Sequence, residues 1–73
     1  MFIEDFKELM EKNEFKRNRM LEQTPDIFLC YEKGDKIVSL EAECMYYMNG
    51  DELIEKIALD LEYLRNMLFI ESV

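Results

Sequence analysis

The side chains that could do chemistry are few in this sequence, and the most versatile type is absent. The 73 residues include no histidine, two cysteines and two glycines. Histidine is the commonest general base and metal ligand, and it activates serine and cysteine nucleophiles. Two glycines are too few for a glycine-rich loop that binds phosphate, and neither a G-x-G-x-x-G motif nor a P-loop occurs. We therefore expect no enzyme and no cofactor.

Carboxylates and soft ligands are present, but their spacing does not suit a metal. Glu41 with Glu43, and Asp51 with Glu52, could share a cation, yet no Asp-rich loop of calcium spacing accompanies them. Cys44 has only methionines as soft neighbours, which is typical of core packing. We interpret the carboxylates as solvated surface and expect no metal site.

One basic cluster surrounds an aromatic residue. Phe15 precedes Lys16 and Arg17 in a segment that also carries Lys12 and Arg19. A ring among cations could stack on a ligand or dock an acidic partner, so Phe15, Lys16 and Arg17 are candidate contact residues. The alternative is a solvated helix face with Phe15 packed beneath the rest of the fold.

Nine basic and seventeen acidic residues give a net charge of −8. Binding to a nucleic-acid backbone requires an excess of lysine and arginine, so direct contact with nucleic acid is not expected. An acidic surface is attracted to basic surfaces, although it also serves solubility. The N-terminus lacks the basic and apolar segments of a signal peptide, and no apolar run approaches a membrane span, so we expect a cytoplasmic protein.

The elements that must position these side chains begin with a helix predicted over about 2–22. Phe2, Phe6 and Leu9 share one apolar stripe, which lapses near Asn13. The helix must therefore bend near Asn13, or else it exposes Phe15. The Thr24-Pro25 step ends the segment.

A β-hairpin is predicted next, with strands at 27–32 and 36–46 and Gly34-Asp35 as its loop. This register pairs apolar residues such as Tyr31 with Val38 on one face. It leaves a mostly polar opposite face, where Cys30 lies opposite Ser39 and both cysteines stay free thiols. An alternative makes 40–48 a short helix, giving an all-α three-helix fold.

A second helix is predicted over 52–70, capped by Asp51. Its main apolar stripe faces the core, and a second stripe lies on the opposite side. We expect this second stripe to be a self-interface or a partner interface; its members are Leu59, Tyr63, Met67 and Ile70. The fold class is thus α+β, a helix, two-stranded hairpin and helix (αββα) in a single small domain spanning 1–73.

The strand, the turn Asn49-Gly50-Asp51-Glu52-Leu53 and the closing amphipathic helix resemble small acidic proteins of phages and prophages. The resemblance implies a protein that blocks a host enzyme or defence complex by contact, in some cases by imitating the charge of nucleic acid. The predicted function is therefore a non-enzymatic inhibitor or adaptor that forms a homodimer and binds a protein with a basic surface. The alternative is an oligomeric binder of a small molecule or nucleotide.

Overall fold

The structure, a computed structural model, describes residues 1–71 and comprises two helices and an antiparallel sheet of five strands. Its elements in chain order are α1 (Phe2–Lys12), β1 (Lys16–Arg17), a 3-10 turn (Leu21–Gln23), β2 (Leu29–Lys33), β3 (Lys36–Leu40), β4 (Met45–Asn49), β5 (Glu52–Ile57) and α2 (Leu61–Glu71). The strands lie in the order β1-β2-β3-β4-β5, so each pairs with its neighbour along the chain. The α+β class is confirmed, but the αββα arrangement with a two-stranded hairpin is wrong, and so is the all-α alternative.

One hydrophobic core joins both helices to the same face of the sheet. Leu29, Leu40, Met45 and Ile57 form a row across four strands on this face. The buried side chains of the core are Phe6, Met10, Phe15, Leu29, Tyr31, Val38, Leu40, Met45, Tyr47, Ile57, Leu64 and Leu68. The molecule therefore has two layers. Neither α1 nor α2 packs on the opposite face of the sheet, although Cys30 and Ser39 on that face are buried.

Helix α1 ends at Lys12, so the prediction of a helix over 2–22 is wrong. The Asn13 side chain donates a hydrogen bond to the Leu9 carbonyl oxygen at 2.8 Å, and Glu14 adopts a left-handed conformation with φ of 66°. The chain reverses there, and Phe15 enters the core with 5% of its surface exposed. The lapse of the apolar stripe at Asn13 marks the end of the helix.

The hairpin around Gly34-Asp35 is confirmed in its register, which pairs Tyr31 with Val38 and Cys30 with Ser39. Gly34 has a φ of +61°, the positive value that such a turn requires. The sulfur of Cys30 lies 3.7 Å from the Ser39 hydroxyl, and both cysteines of the chain are free and buried.

The strand predicted at 36–46 is two strands. The backbone N–H of Glu41 donates to the carbonyl oxygen of Cys44 at 2.9 Å, which closes a tight turn after Leu40 and sends β4 back along β3. The turn contains neither glycine nor proline, so the sequence carries no signal for it. It also shifts the alternation, so that Met45 and Tyr47 lie in the core.

The helix predicted over 52–70 is wrong in its first part, where β5 pairs with β4. A β-bulge leaves Ile54 without a partner on β4, because Tyr47 pairs with Glu55 and Met48 pairs with Leu53. This extra residue breaks the two-residue alternation and gives the strand a spacing that resembles a helical stripe. Asp60, not Asp51, caps α2. Neither helix of the described chain has the length and apolar character of a membrane span.

Candidate functional site

Three of the four predicted interface residues lie on the surface. Leu59, Tyr63 and Ile70 are exposed over 42%, 47% and 72% of their surface, whereas Met67 is half-buried and packs against the core. The Tyr63 hydroxyl donates a hydrogen bond to the carboxylate of Glu55, and this bond raises the pKa of Tyr63. The bond ties one flank of α2 to the edge strand β5.

The predicted basic cluster is not brought together as one exposed surface. Phe15 lies in the core, so its ring is not open to a ligand. Lys16 and Arg17 form β1, and both are exposed. The guanidinium of Arg17 is already held by Glu22, with an Nε–Oε2 distance of 2.8 Å.

A different site lies at one end of the sheet face opposite α1 and α2, where a cleft of about 400 Å³ opens to solvent. We call it the acidic cleft. It is lined by three carboxylates, two aromatic rings, a lysine, a thiol and one small apolar side chain. In that order, these belong to Asp26, Glu41 and Glu43, to Phe28 and Tyr46, and to Lys56, Cys44 and Ala42.

The sheet register places these side chains side by side. The Phe28 N–H donates to the Leu40 carbonyl oxygen at 2.9 Å, which aligns Phe28 with the turn that begins at Glu41. Tyr46 and Lys56 are direct partners across β4 and β5. Asp26 has a φ of 75°, a left-handed conformation at the turn that leads into β2. Four separate segments therefore build the acidic cleft.

The acidic cleft combines unpaired negative charge with exposed aromatic surface. Among residues 1–71, neither Asp26, Glu41 nor Glu43 takes part in an ion pair. Phe28 is exposed over 56% of its surface. The Lys56 ammonium nitrogen lies 5.9 Å from the centroid of the Tyr46 ring, within cation–π range. An organic cation is the ligand that such a surface attracts.

Tyr46 remains a neutral phenol within the acidic cleft. The neighbouring Cys44 side chain is the main factor that raises the pKa of Tyr46, and the charge of Glu41 acts in the same direction. The Tyr46 side chain therefore adds no negative charge to the cleft, and the cation over its ring is Lys56.

The sequence carried part of the signal for this site. The predicted hairpin register sets Phe28 opposite Glu41 on the polar face, so an exposed ring beside a carboxylate could be read from it. Tyr46 and Lys56 could not be added, because β4 and β5 were not predicted as strands of the same sheet.

Comparison of the chain with protein-family models, with curated proteins and with solved structures finds no match. The resemblance to small acidic phage and prophage proteins therefore stays a prediction. Its pattern of strand, turn and helix is replaced by a β-hairpin, since β5 follows the Gly50-Asp51 turn. Within residues 1–71, no three His, Cys, Asp or Glu side chains are grouped to hold a metal ion.

Proposed function

We propose that this protein is a non-enzymatic binding protein that docks a basic protein partner on the sheet face opposite α1 and α2. The observation that carries the proposal is the acidic cleft, where unpaired carboxylates surround the exposed Phe28 ring. A lysine or arginine side chain of the partner enters the cleft, with its charge beside Glu41 and its stem or guanidinium plane on the ring.

The charge of the whole chain supports the same partner. A molecule of net charge −8 attracts basic surfaces over the distance that the ionic strength allows. Since nucleic-acid-binding proteins carry such surfaces, an inhibitor or adaptor acting on one of them is the role we propose. A host defence or nucleic-acid enzyme as the target, and a cytoplasmic location, belong to the same proposal.

The alternative of an oligomeric nucleotide or small-molecule binder has no comparable support. It requires Phe15, Lys16 and Arg17 to line a shared pocket. The Phe15 ring is buried and the Arg17 guanidinium is engaged by Glu22. Of the two cations, Lys16 alone is then outside the ion pairs of residues 1–71.

The proposal is tested by titrating the protein with an arginine-rich peptide and with the same peptide carrying citrulline, which keeps the shape and removes the charge. We expect the arginine peptide to bind and to shift the NMR signals of Phe28, Tyr46 and Cys44. The citrulline peptide is expected to leave them unchanged. Binding without shifts in the acidic cleft would place the function elsewhere.

A matched pair of variants separates the acidic cleft from the general field of the protein. Glu41→Gln combined with Glu43→Gln removes two cleft carboxylates, and Glu4→Gln combined with Glu11→Gln removes two exposed carboxylates of α1. We expect the first pair to weaken peptide binding about tenfold and the second to weaken it far less. Equal weakening would mean that binding follows net charge alone, and the cleft assignment would fail.

A further inference from the structure

The edge strand β5 and one flank of α2 form a second surface, which shares Lys56 with the acidic cleft. β5 pairs with β4 on one side and has no strand on the other among residues 1–71. Its six residues contrast with the two of β1, the opposite edge of the sheet. An open edge presents unpaired N–H and C=O groups, and the group that satisfies them best is another extended strand.

Exposed apolar side chains border this edge. We define the β5–α2 surface by Ile54, Leu59, Tyr63 and Ile70. Ile54 is the bulge residue and is exposed over 45% of its surface. Tyr63 reaches Glu55 of β5 through its hydroxyl. Ile70 follows Tyr63 by two helical turns and so lies on the same flank of α2.

The charges on the β5–α2 surface fit a second copy of this chain. Two copies of net charge −8 repel one another at long range, so a stable contact between them has to be uncharged where the two chains meet. The flank of α2 that carries Tyr63 and Ile70 meets this condition, since Asn66 and Met67 lie between them on the same side of the helix. Antiparallel pairing of two β5 strands brings the Glu52 end of one beside the Lys56 end of its copy. The Glu55 carboxylate is already held by Tyr63 of its own chain.

We propose that two copies associate through the β5–α2 surface, with their β5 strands antiparallel about a two-fold axis and their α2 flanks in contact across the same axis. The contact is isologous, so each apolar side chain meets the same surface on the other copy. The two sheets become one sheet of ten strands, and the two acidic clefts lie on the same face of it.

The mass of the wild-type protein in solution, by light scattering after size exclusion, is the first test. We expect a dimer for the wild type and a monomer for Ile54→Glu and for Ile70→Glu, with dimer affinity reduced at least about tenfold. Met20→Glu is the matched control, because Met20 is exposed over 79% of its surface away from β5 and the change in charge is the same. Circular dichroism verifies that all variants are folded.

Hydrogen exchange tests the role of the strand. In the dimer we expect the outward-facing amides of β5 to exchange more slowly as protein concentration rises. A wild-type monomer at every concentration would overturn the proposal, as would a dimer that both variants leave intact. A dimer whose β5 amides gain no protection would overturn the strand pairing. The variants Ile54→Glu and Ile70→Glu leave every residue that lines the acidic cleft unchanged, so the peptide titration tests the cleft separately.

Discussion

A single carboxylate, that of Glu22 in the 3-10 turn, joins β1 to β2. It accepts hydrogen bonds from Nε and Nη2 of Arg17 at 2.8 and 2.9 Å, and from the backbone N–H of Cys30 at 3.0 Å. The bond from Arg17, and with it the bond from Cys30, holds the pKa of Glu22 below its ordinary value. The carboxylate thus fastens the segment between β1 and β2 to the edge of the sheet.

We expect Glu22→Gln to lower the free energy of unfolding by about 1–2 kcal/mol, because an amide accepts fewer and weaker hydrogen bonds from a guanidinium. Urea unfolding followed by circular dichroism measures the change. Glu11→Gln serves as the control, since Glu11 is exposed and outside any ion pair of residues 1–71. If both variants lose the same stability, the bonds of Glu22 contribute nothing specific.

The same carboxylate makes stability depend on pH in a defined direction. A lowered pKa means that the folded state favours the ionised form of Glu22. Its contribution is therefore complete above the unfolded value of about 4.5 and is lost as the pH falls through the lower folded value. In urea unfolding at a series of pH values, the stability difference between wild type and Glu22→Gln should shrink below about pH 4.5. A difference that stays constant into acid would contradict this assignment.

At the scale of the element, the Gly34-Asp35 turn is the part of the fold that residue type predicts most directly. Gly34 has a φ of +61°, and a Cβ added there would meet no atom within 4 Å, so only the backbone opposes a substitution. We expect Gly34→Ala to cost about 1–2 kcal/mol of stability and Asp35→Ala less than about 0.5 kcal/mol, measured by urea unfolding. Equal losses would mean that the turn does not depend on glycine.

The elements that were not predicted from the sequence were missed for identifiable physical reasons. β2 and β3 are joined by a glycine turn, and one register alone pairs their apolar residues on one face, so this register could be predicted. The turn between β3 and β4 is closed by a backbone hydrogen bond from Glu41 to Cys44. It contains neither glycine nor proline, so no residue type predicts it. In β5 the extra residue at Ile54 hides the alternation, and pairing with β4 overrides the helical tendency of its glutamates and lysine.

The candidate site was predictable to the same extent as the sheet. Phe28 and Glu41 belong to the part of the register that local alternation fixes. Tyr46 and Lys56 meet them only because two further strands return across the sheet. Phe15 shows the reverse case, in which a ring in a polar segment is buried because the left-handed residue Glu14 turns the chain into the core.

At the scale of the whole molecule, the net charge of −8 lies within a particle of 32 × 28 × 20 Å. At about 0.01 M salt the Debye length is about 30 Å, so every acidic group repels every other across the molecule, whereas at about 0.15 M it is about 8 Å. We expect added sodium chloride to raise the urea midpoint of unfolding. Glu4→Gln combined with Glu62→Gln should reduce this salt dependence, and a midpoint that falls with salt would show that ion pairs outweigh the repulsion.

The order of elements along the chain sets the order in which the core can close during protein synthesis. All five strands precede α2, and each can pair with a strand already made. The apolar face of the sheet nevertheless stays incompletely covered until Leu64 and Leu68 have been added and can fold onto it. A nascent chain that pauses just before α2 therefore carries a formed sheet whose apolar face is still exposed to solvent. Exposed apolar surface of this kind is what chaperones and proteases recognise, so the addition of α2 is the step that removes it.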